Sequence, residues 1–346
     1  MKAIGAFHRG ALRAATLLLL TCRSGVLAFS FSRVQTTTRS HAGTALLATV
    51  VPSESTTVGT VGSGYVSILL SKLAAHRRHG KSWIICPDAE ADSMRELVGA
   101  SSSSAPANWE LVPASDNARV EELLGETDAL LVATDDVGSV VGPTILTYLL
   151  DPEKCSQMKR VVAMSRNLNG EGMGFFVSAS RTAANAQVWD NAYKDAFRSF
   201  EADVQNGARG CGADWTVVRA GTLKGGASGP ASEEGEVAYP QYLNESFYGM
   251  TKNDIVAWQM LFDVDVRGVS LTRGDVLPGP GARAVFTATG SGEHQGDSGR
   301  CGVAEAMVRS LEEEGAANVD FAVGTKAGTE APSEEEWETL FRGCLS

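Results

Sequence analysis

What this chain lacks sets the first bounds. Its 346 residues include only 6 cysteines and 5 histidines. Past residue 53 the cysteines stand at 86, 155, 211, 301 and 344, odd in number, far apart and never as Cys-x-x-Cys. That spacing speaks against a disulfide framework or a zinc site. The histidines past that point are His76, His79 and His294. None sits at ligand spacing beside carboxylates, so they read as solvated surface residues. No later segment approaches the roughly 20 apolar residues that a membrane-crossing helix needs. No internal repeat is visible.

Acid is missing altogether from residues 1–53, which carry Lys2, Arg9, Arg13, Arg23, Arg33 and Arg39. The short apolar core "AATLLLL" (14–20) and the small residues of "SGVLA" (24–28) complete a signal-peptide pattern over residues 1–28. The next stretch, "FSFSRVQTTTRSHAGTALLATVV", is basic and rich in Ser and Thr, which is transit-peptide composition, assigned to 29–54. The two halves in this order, the second opening on Phe29, resemble the two-part leader of algae with complex plastids. The resemblance implies import into the plastid stroma; the alternative is an ordinary secretory leader with a disordered linker.

Six of the 30 basic residues and none of the 41 acidic ones fall in residues 1–53, so residues 54–346 carry a net charge of −17. Such a surface repels nucleic acid and anionic lipid. The roughly 290 residues left suit one large domain with an elaborate lobe.

Along that domain, short apolar runs alternate with helical patterns. Val58 lies in a short strand, and "YVSILLSKLAAHRRHG" (65–80) is a helix stopped by Gly80. "SWIIC" (82–86), "WELVPA" (109–114), "DALLVAT" (128–134), "KRVVAMS" (159–165) and "DWTVVRAG" (214–221) read as strands. Helices are predicted over 118–125, 142–151 and 191–208. This alternation predicts an α/β fold, a doubly wound parallel sheet. Residues 225–300 are assigned to an inserted substrate lobe, with a helix over 252–263 and a strand over 266–274. A helix over 301–316, a strand over 318–325 and a helix over 333–344 close the chain, the last with Ser333 and Glu336 as a capping box.

The first strand runs into "VGTVGSGYVS" (58–67). Gly59 can make the turn after the strand, Gly62 can let the backbone approach a pyrophosphate, and Thr60 and Ser63 add hydroxyls. Gly64 completes the glycine cluster. The same stretch also suits a plain strand-to-helix turn. Its place in the first βα unit is where a dinucleotide fold puts its phosphate cradle.

That stretch, "VVAMS" and "FEADVQ…GADWTVVRAGTLKGG" resemble the atypical short-chain dehydrogenase/reductases, the NmrA-like and plastid NAD(P)-binding group. The resemblance covers most of residues 56–346, "GVAEAMVRSLE" and "PSEEEWETLF" included. It implies NAD(P) as cofactor, with Gly59 and Gly62 as the first two glycines of Gly-x-x-Gly-x-x-Gly, Ser165 near the nicotinamide end, and Glu201 and Arg219 as matched positions. Asp116 falls where the family often contacts adenine, although a turn aspartate fits equally. Two departures stand out. The third glycine falls on Tyr65, whose bulk should hold the helix off the strand. The loop after the second strand carries Asp88, Glu90 and Asp92. Carboxylates there accept ribose hydrogen bonds and repel a 2′-phosphate, which favours NAD on charge, whereas a plastid reductase more usually draws on NADPH.

Hydride transfer in this family usually needs Tyr-x-x-x-Lys on the helix after the fifth strand. Tyr193 is present, but Phe197 stands where the lysine belongs, and Lys194 points to another helix face. A second pair at the right spacing, Tyr248 and Lys252, lies in the expected lobe. Two functions therefore stand open. One is an oxidoreductase acting on a small metabolite or pigment precursor. The other is a degenerate dinucleotide binder serving a plastid protein complex as assembly factor or redox sensor.

Overall fold

The apolar runs become parallel strands because both of their faces are covered. In this computed structural model the described residues are 55–77, 80–86, 88–98, 107–134, 140–166, 168, 191–224, 267–277, 296–326, 328 and 330–346, with the isolated positions 175 and 179. All lie within one compact unit, Thr49–Ser346. The expected leader and most of the expected lobe, including residues 252–263, fall outside the described residues.

The chain opens with β1 (Thr57–Ser63), α1 (Tyr65–Arg77), β2 (Lys81–Cys86), α2 (Ala91–Val98), β3 (Trp109–Pro113), α3 (Asn117–Glu126) and β4 (Ala129–Thr134). It continues through α4 (Pro143–Leu149), β5 (Arg160–Arg166), α5 (Asn191–Gly210), β6 (Asp214–Ala220) and β7 (Thr222–Lys224). Next come β8 (Gly268–Arg273), β9 (Asp297–Gly299), α6 (Arg300–Arg309), β10 (Val319–Lys326) and α7 (Glu334–Leu345). The main sheet has the order β3-β2-β1-β4-β5-β6-β10-β8, parallel except for β8 at the edge. Strand order reverses between β1 and β4, the mark of the doubly wound fold. The predicted α/β class therefore holds.

Every residue of β4 and β5 is buried, as expected of central strands covered twice. One apolar layer joins Val58, Leu131, Met164, Val218 and Phe321 to α1, α6 and α7. The other joins Val61, Val132, Val161 and Ala163 to α3, α4 and α5. Helix α1 is buried at all ten positions from 66 to 75, because it lies between the sheet and α6. A helix enclosed on every side shows no polar stripe, and here Ser67, Ser71 and Lys72 are buried with the leucines. Burial pulls the Lys72 ammonium down to about 8.

The expected lobe is not wholly separate. Residues 268–273 return to the main sheet as β8, antiparallel to β10. Strands β7 and β9 form a small parallel ladder of their own, with Thr222 opposite Asp297 and Lys224 opposite Gly299. The two ends of the intervening segment are thus held together at one neck. There the Gly221 N–H donates to Ser298 Oγ (2.8 Å) and Arg166 Nη1 donates to the Gly221 carbonyl (2.8 Å).

At the far end of the chain, Ser333 and Glu336 form the predicted capping box. Glu334, one residue on, ties three helices together. It accepts from Arg309 of α6 (2.7 and 2.8 Å) and from Arg77 of α1 (3.1 Å). The Arg309 and Arg77 guanidiniums hold its carboxyl down to about 2. A depressed carboxylate stabilises the fold above its unfolded value near 4.5, and loses that contribution as the pH falls through about 2. Glu334 is largely solvated, so the pair's worth is on the order of 1 kcal/mol or less. Glu334→Gln should lower the urea midpoint at pH 7, and the gap to the parent protein should close as the pH falls from 4.5 toward 2.

Candidate functional site

The doubly wound order creates a crevice where the parallel strands end, between β1 and β4. The connection after β1 goes to one face of the sheet and the connection after β4 to the other. Ligands of such sheets enter there. Three elements frame this edge: the turn from β1 into α1, the loop after β2, and the ends of β5 and β6.

The turn is built on Gly62 and Gly64, not on Gly59. Strand β1 runs on to Ser63, so Gly59 and Thr60 sit in mid-strand. This corrects the expectation that Gly59 makes the turn. Gly59 is the register partner of Trp83 on β2. A Cβ there would lie 2.6 Å from the Trp83 ring. The glycine makes room for a fully buried indole, whose Nε1–H donates to Thr127 Oγ1 (3.0 Å). Thr60 is fully buried on the α1 face of the sheet, and its hydroxyl has no partner. It is a core residue and does not reach the crevice.

Gly62 and Gly64 have positive φ, 144° and 90°. At Gly62 a Cβ would fall 1.5 Å from the Ala133 carbonyl oxygen of β4, so only glycine fits that approach of the two strands. Gly64 is exposed at the mouth of α1. Ser63 between them ends the strand, opposite Thr134 of β4. The motif is therefore Gly62-Ser63-Gly64, with Ser67 in the place of a third glycine. Ser67 is buried and its hydroxyl donates to the Gly64 carbonyl (2.8 Å), which tightens the turn. Tyr65 does not occupy the third position; it is half-buried and packs on the α1 core. The first turn of α1 carries no acidic side chain that would repel an anion at the helix mouth.

Asp88 follows β2 in a short 3-10 turn (Asp88–Glu90) and is exposed. Its carboxylate accepts from the Ser115 N–H (3.1 Å) across the loop after β3, and hydrogen bonds from Ser115 hold its pKa below the ordinary value. Asp88 is thus ionised and fixed on the edge where an adenosine ribose would lie. Asp116 has a different duty: it is the N-cap of α3, accepting from the Arg119 N–H (3.1 Å).

On the other side of the crevice Ser165 lies near the end of β5, fully buried, its hydroxyl without a hydrogen-bond partner. Its register partner on β6 is Arg219. Arg219 forms a two-pronged ion pair with Glu201 of α5 (Nε–Oε1 3.0 Å, Nη2–Oε2 2.8 Å) and a further bond to Asp320. Burial works against its charge, but the hydrogen bonds and charges of Glu201 and Asp320 outweigh that and raise its pKa. Asp275 adds to this field, and its carboxylate holds the Leu168 N–H (3.0 Å). The arginine is therefore a fixed cation that locks α5 onto β6 and β10.

Tyr193 lies in the first turns of α5, four residues ahead of Phe197. Phe197 is 2 % exposed and packs with Phe200, Val204 and Ala208 against the sheet. An apolar contact thus stands where a lysine would lower a tyrosine pKa. Lys194 is half-buried on another part of the helix. Tyr248 and Lys252 lie outside the described residues. Among the described residues no cluster of His, Cys, Asp and Glu could hold a metal, and no helix is long and apolar enough to cross a membrane.

No family model matches this chain, and no curated protein does. Solved structures are similar at low identity. A protein described as an NAD-dependent epimerase/dehydratase from Bacillus halodurans is 15% identical, with 82% of this chain and 100% of that one covered, at a TM-score of 0.43. The oxidoreductase ylbE from Lactococcus lactis is 13% identical, over 83% and 97%, at 0.42. The yeast methylglyoxal/isovaleraldehyde reductase Gre2, complexed with NADPH, is 10% identical, over 77% and 75%, at 0.43. It is the strand order itself that defines the fold.

Two single variants and one double variant test the packing. Gly59→Ala should cost about 1–3 kcal/mol by overpacking Trp83, read as a lower urea midpoint. Glu201→Leu should cost about 3 kcal/mol by leaving Arg219 half-paired in the interior, and Glu201→Leu with Arg219→Met should recover most of it. Failure of the double variant to recover would show that Arg219 does more than lock the helix.

Proposed function

We propose that this chain binds a nicotinamide dinucleotide at the crevice between β1 and β4 and is an oxidoreductase acting on a small plastid metabolite or pigment precursor. One observation carries the binding: a positive-φ Gly-Ser-Gly turn that opens a buried helix at the point where strand order reverses. The residues fit such a group. Gly62, Ser63 and Gly64 would hold the diphosphate at the mouth of α1, Asp88 would receive the ribose hydroxyls, and Ser165 offers a buried hydroxyl with no protein partner toward the nicotinamide end. A bound nicotinamide supplies the hydride. The chain's own share is to seat the dinucleotide, orient it and exclude water. The neck at Gly221 and Ser298 stands at the same edge, which suits the insertion of a substrate lobe there. Import into the plastid rests on the acid-free leader alone.

A second reading has its own support. With Phe197 in the lysine's place, the chain would hold the dinucleotide without turnover, as a redox sensor or assembly factor for a plastid protein complex.

Fluorescence titration with NADH and NADPH tests the binding. Gly64→Ala, at an exposed positive-φ position, should cost only about 1–3 kcal/mol of stability yet weaken either dinucleotide. Gly59→Ala should leave affinity unchanged. Asp88→Ser should shift preference toward NADPH by about tenfold, the scale of one removed charge repulsion at a few ångströms. No heat and no fluorescence change with either dinucleotide would remove both readings. Single-turnover oxidation of bound NAD(P)H across a panel of carbonyl compounds then divides them: turnover slowed by Tyr248→Phe or Tyr193→Phe supports the oxidoreductase, and no turnover supports the binder.

A further inference from the structure

Away from the crevice, where the parallel strands begin, two cysteines meet that stand 56 positions apart in sequence. Cys155 lies in the turn after α4, and Cys211 follows the last residue of α5. Their thiols anchor on consecutive carbonyls. Cys155 Sγ donates to the Leu149 oxygen (2.8 Å) and Cys211 Sγ to the Leu150 oxygen (3.2 Å). The two thiols also lie close enough to act on each other's ionisation. Both cysteines are free thiols; Cys155 is fully buried and Cys211 is half-buried.

The geometry points to a reversible disulfide between Cys155 and Cys211, formed by exchange with a small-molecule or protein disulfide. The partners are unequal in a way that sets the order of steps. The neighbouring Cys155 thiol lowers the Cys211 thiol below its ordinary value, against the opposing effect of burial. Cys211, together with burial, pushes the Cys155 thiol up. Asp151 and Lys154, from the same turn, act in opposite directions on Cys155. The half-exposed Cys211 thiolate is therefore the attacking group. It attacks one sulfur of the incoming disulfide; a mixed disulfide forms and the first thiolate leaves. The Cys155 thiol then gives its proton to that leaving thiolate, attacks Cys211 Sγ and expels the second. One external disulfide is reduced to two thiols as the two protein thiols are oxidised to one bond.

Residues 155 and 211 enclose α5 and β5, so the bond closes a loop around the elements that carry Phe197, Glu201 and Ser165. It staples the C-terminal end of α5 to the turn that leads into β5. Cys86, Cys301 and Cys344 are each buried elsewhere and serve as internal controls.

The test uses the full chain equilibrated in a series of reduced and oxidised glutathione mixtures. Thiols are then blocked with a maleimide under denaturing conditions and the chain is cut with trypsin. The expected product in oxidising mixtures is the peptide CSQMK joined to GCGADWTVVR, lost again on dithiothreitol treatment, with Cys86, Cys301 and Cys344 blocked throughout. The melting temperature should rise by roughly 5–10 °C on oxidation, the scale of closing a loop of this length in a domain of this size. Cys211→Ser should abolish that rise. The parent chain's peptide map decides the matter even if that variant does not fold. Recovery of both cysteines as free thiols in the most oxidising mixture would overturn the inference. So would a persistent glutathione adduct on Cys211 with Cys155 still free.

Discussion

The close approach of β1 to β4 at Gly62 governs the upper edge of this protein. The backbone carbonyl of Ala133 occupies the space a side chain would need. The chain can leave the sheet there only through a positive-φ turn, and that turn aims it straight into α1. Helix α1 is then enclosed on every side by the sheet and α6. A helix so enclosed cannot shift without disturbing both layers, because interiors are close-packed. The mouth of α1 is therefore held by the whole core, which is what a preorganised anion site requires.

A second fixed point lies across the sheet. Arg219 has almost no solvent to soften its charge, and it receives two carboxylates instead. Burying such a trio costs desolvation that well-packed apolar residues would avoid. Its geometry, however, joins α5, β6 and β10 by directional bonds. Arg160 does similar work where the strands begin, donating to the Ser310 and Glu313 carbonyls just beyond α6 (2.6 and 2.7 Å). Each end of the central strands thus has a buried guanidinium that fixes a helix to the sheet.

Much of this was legible in the sequence. Strands with unbroken apolar runs, such as "ALLVAT" and "RVVAMS", are doubly covered, and their alternation with helices defines the class. The capping box at Ser333 was readable for the same reason: its partners are local. The glycine register was not. Val58-Gly59 looks like a strand end, and the pairing of Gly59 with Trp83 and of residues 61–63 with β4 shows that the strand continues. The signal was Val61, which keeps the strand going past Gly59 and joins the same apolar layer as Trp83. Asp116 reads equally as a ligand and as a turn residue; in the fold it caps α3 by accepting from the Arg119 N–H. The meeting of Cys155 with Cys211 depends on how α4 and α5 dock, which spacing along the chain does not encode. Helix α2 was missed because its eight residues fall between loop-like stretches.

The small ladder of β7 and β9 has a consequence for how such a chain can change. Lys224 and Asp297, which bound the expected lobe in sequence, belong to one pair of adjacent backbones, and the edge strand β8 lies between them along the chain. Lengthening or shortening the stretches on either side of β8 costs the sheet little, since closure entropy grows only slowly with loop length. The core is in this sense a chassis with a single socket. What is plugged into that socket can diversify while the strands beneath it keep their order.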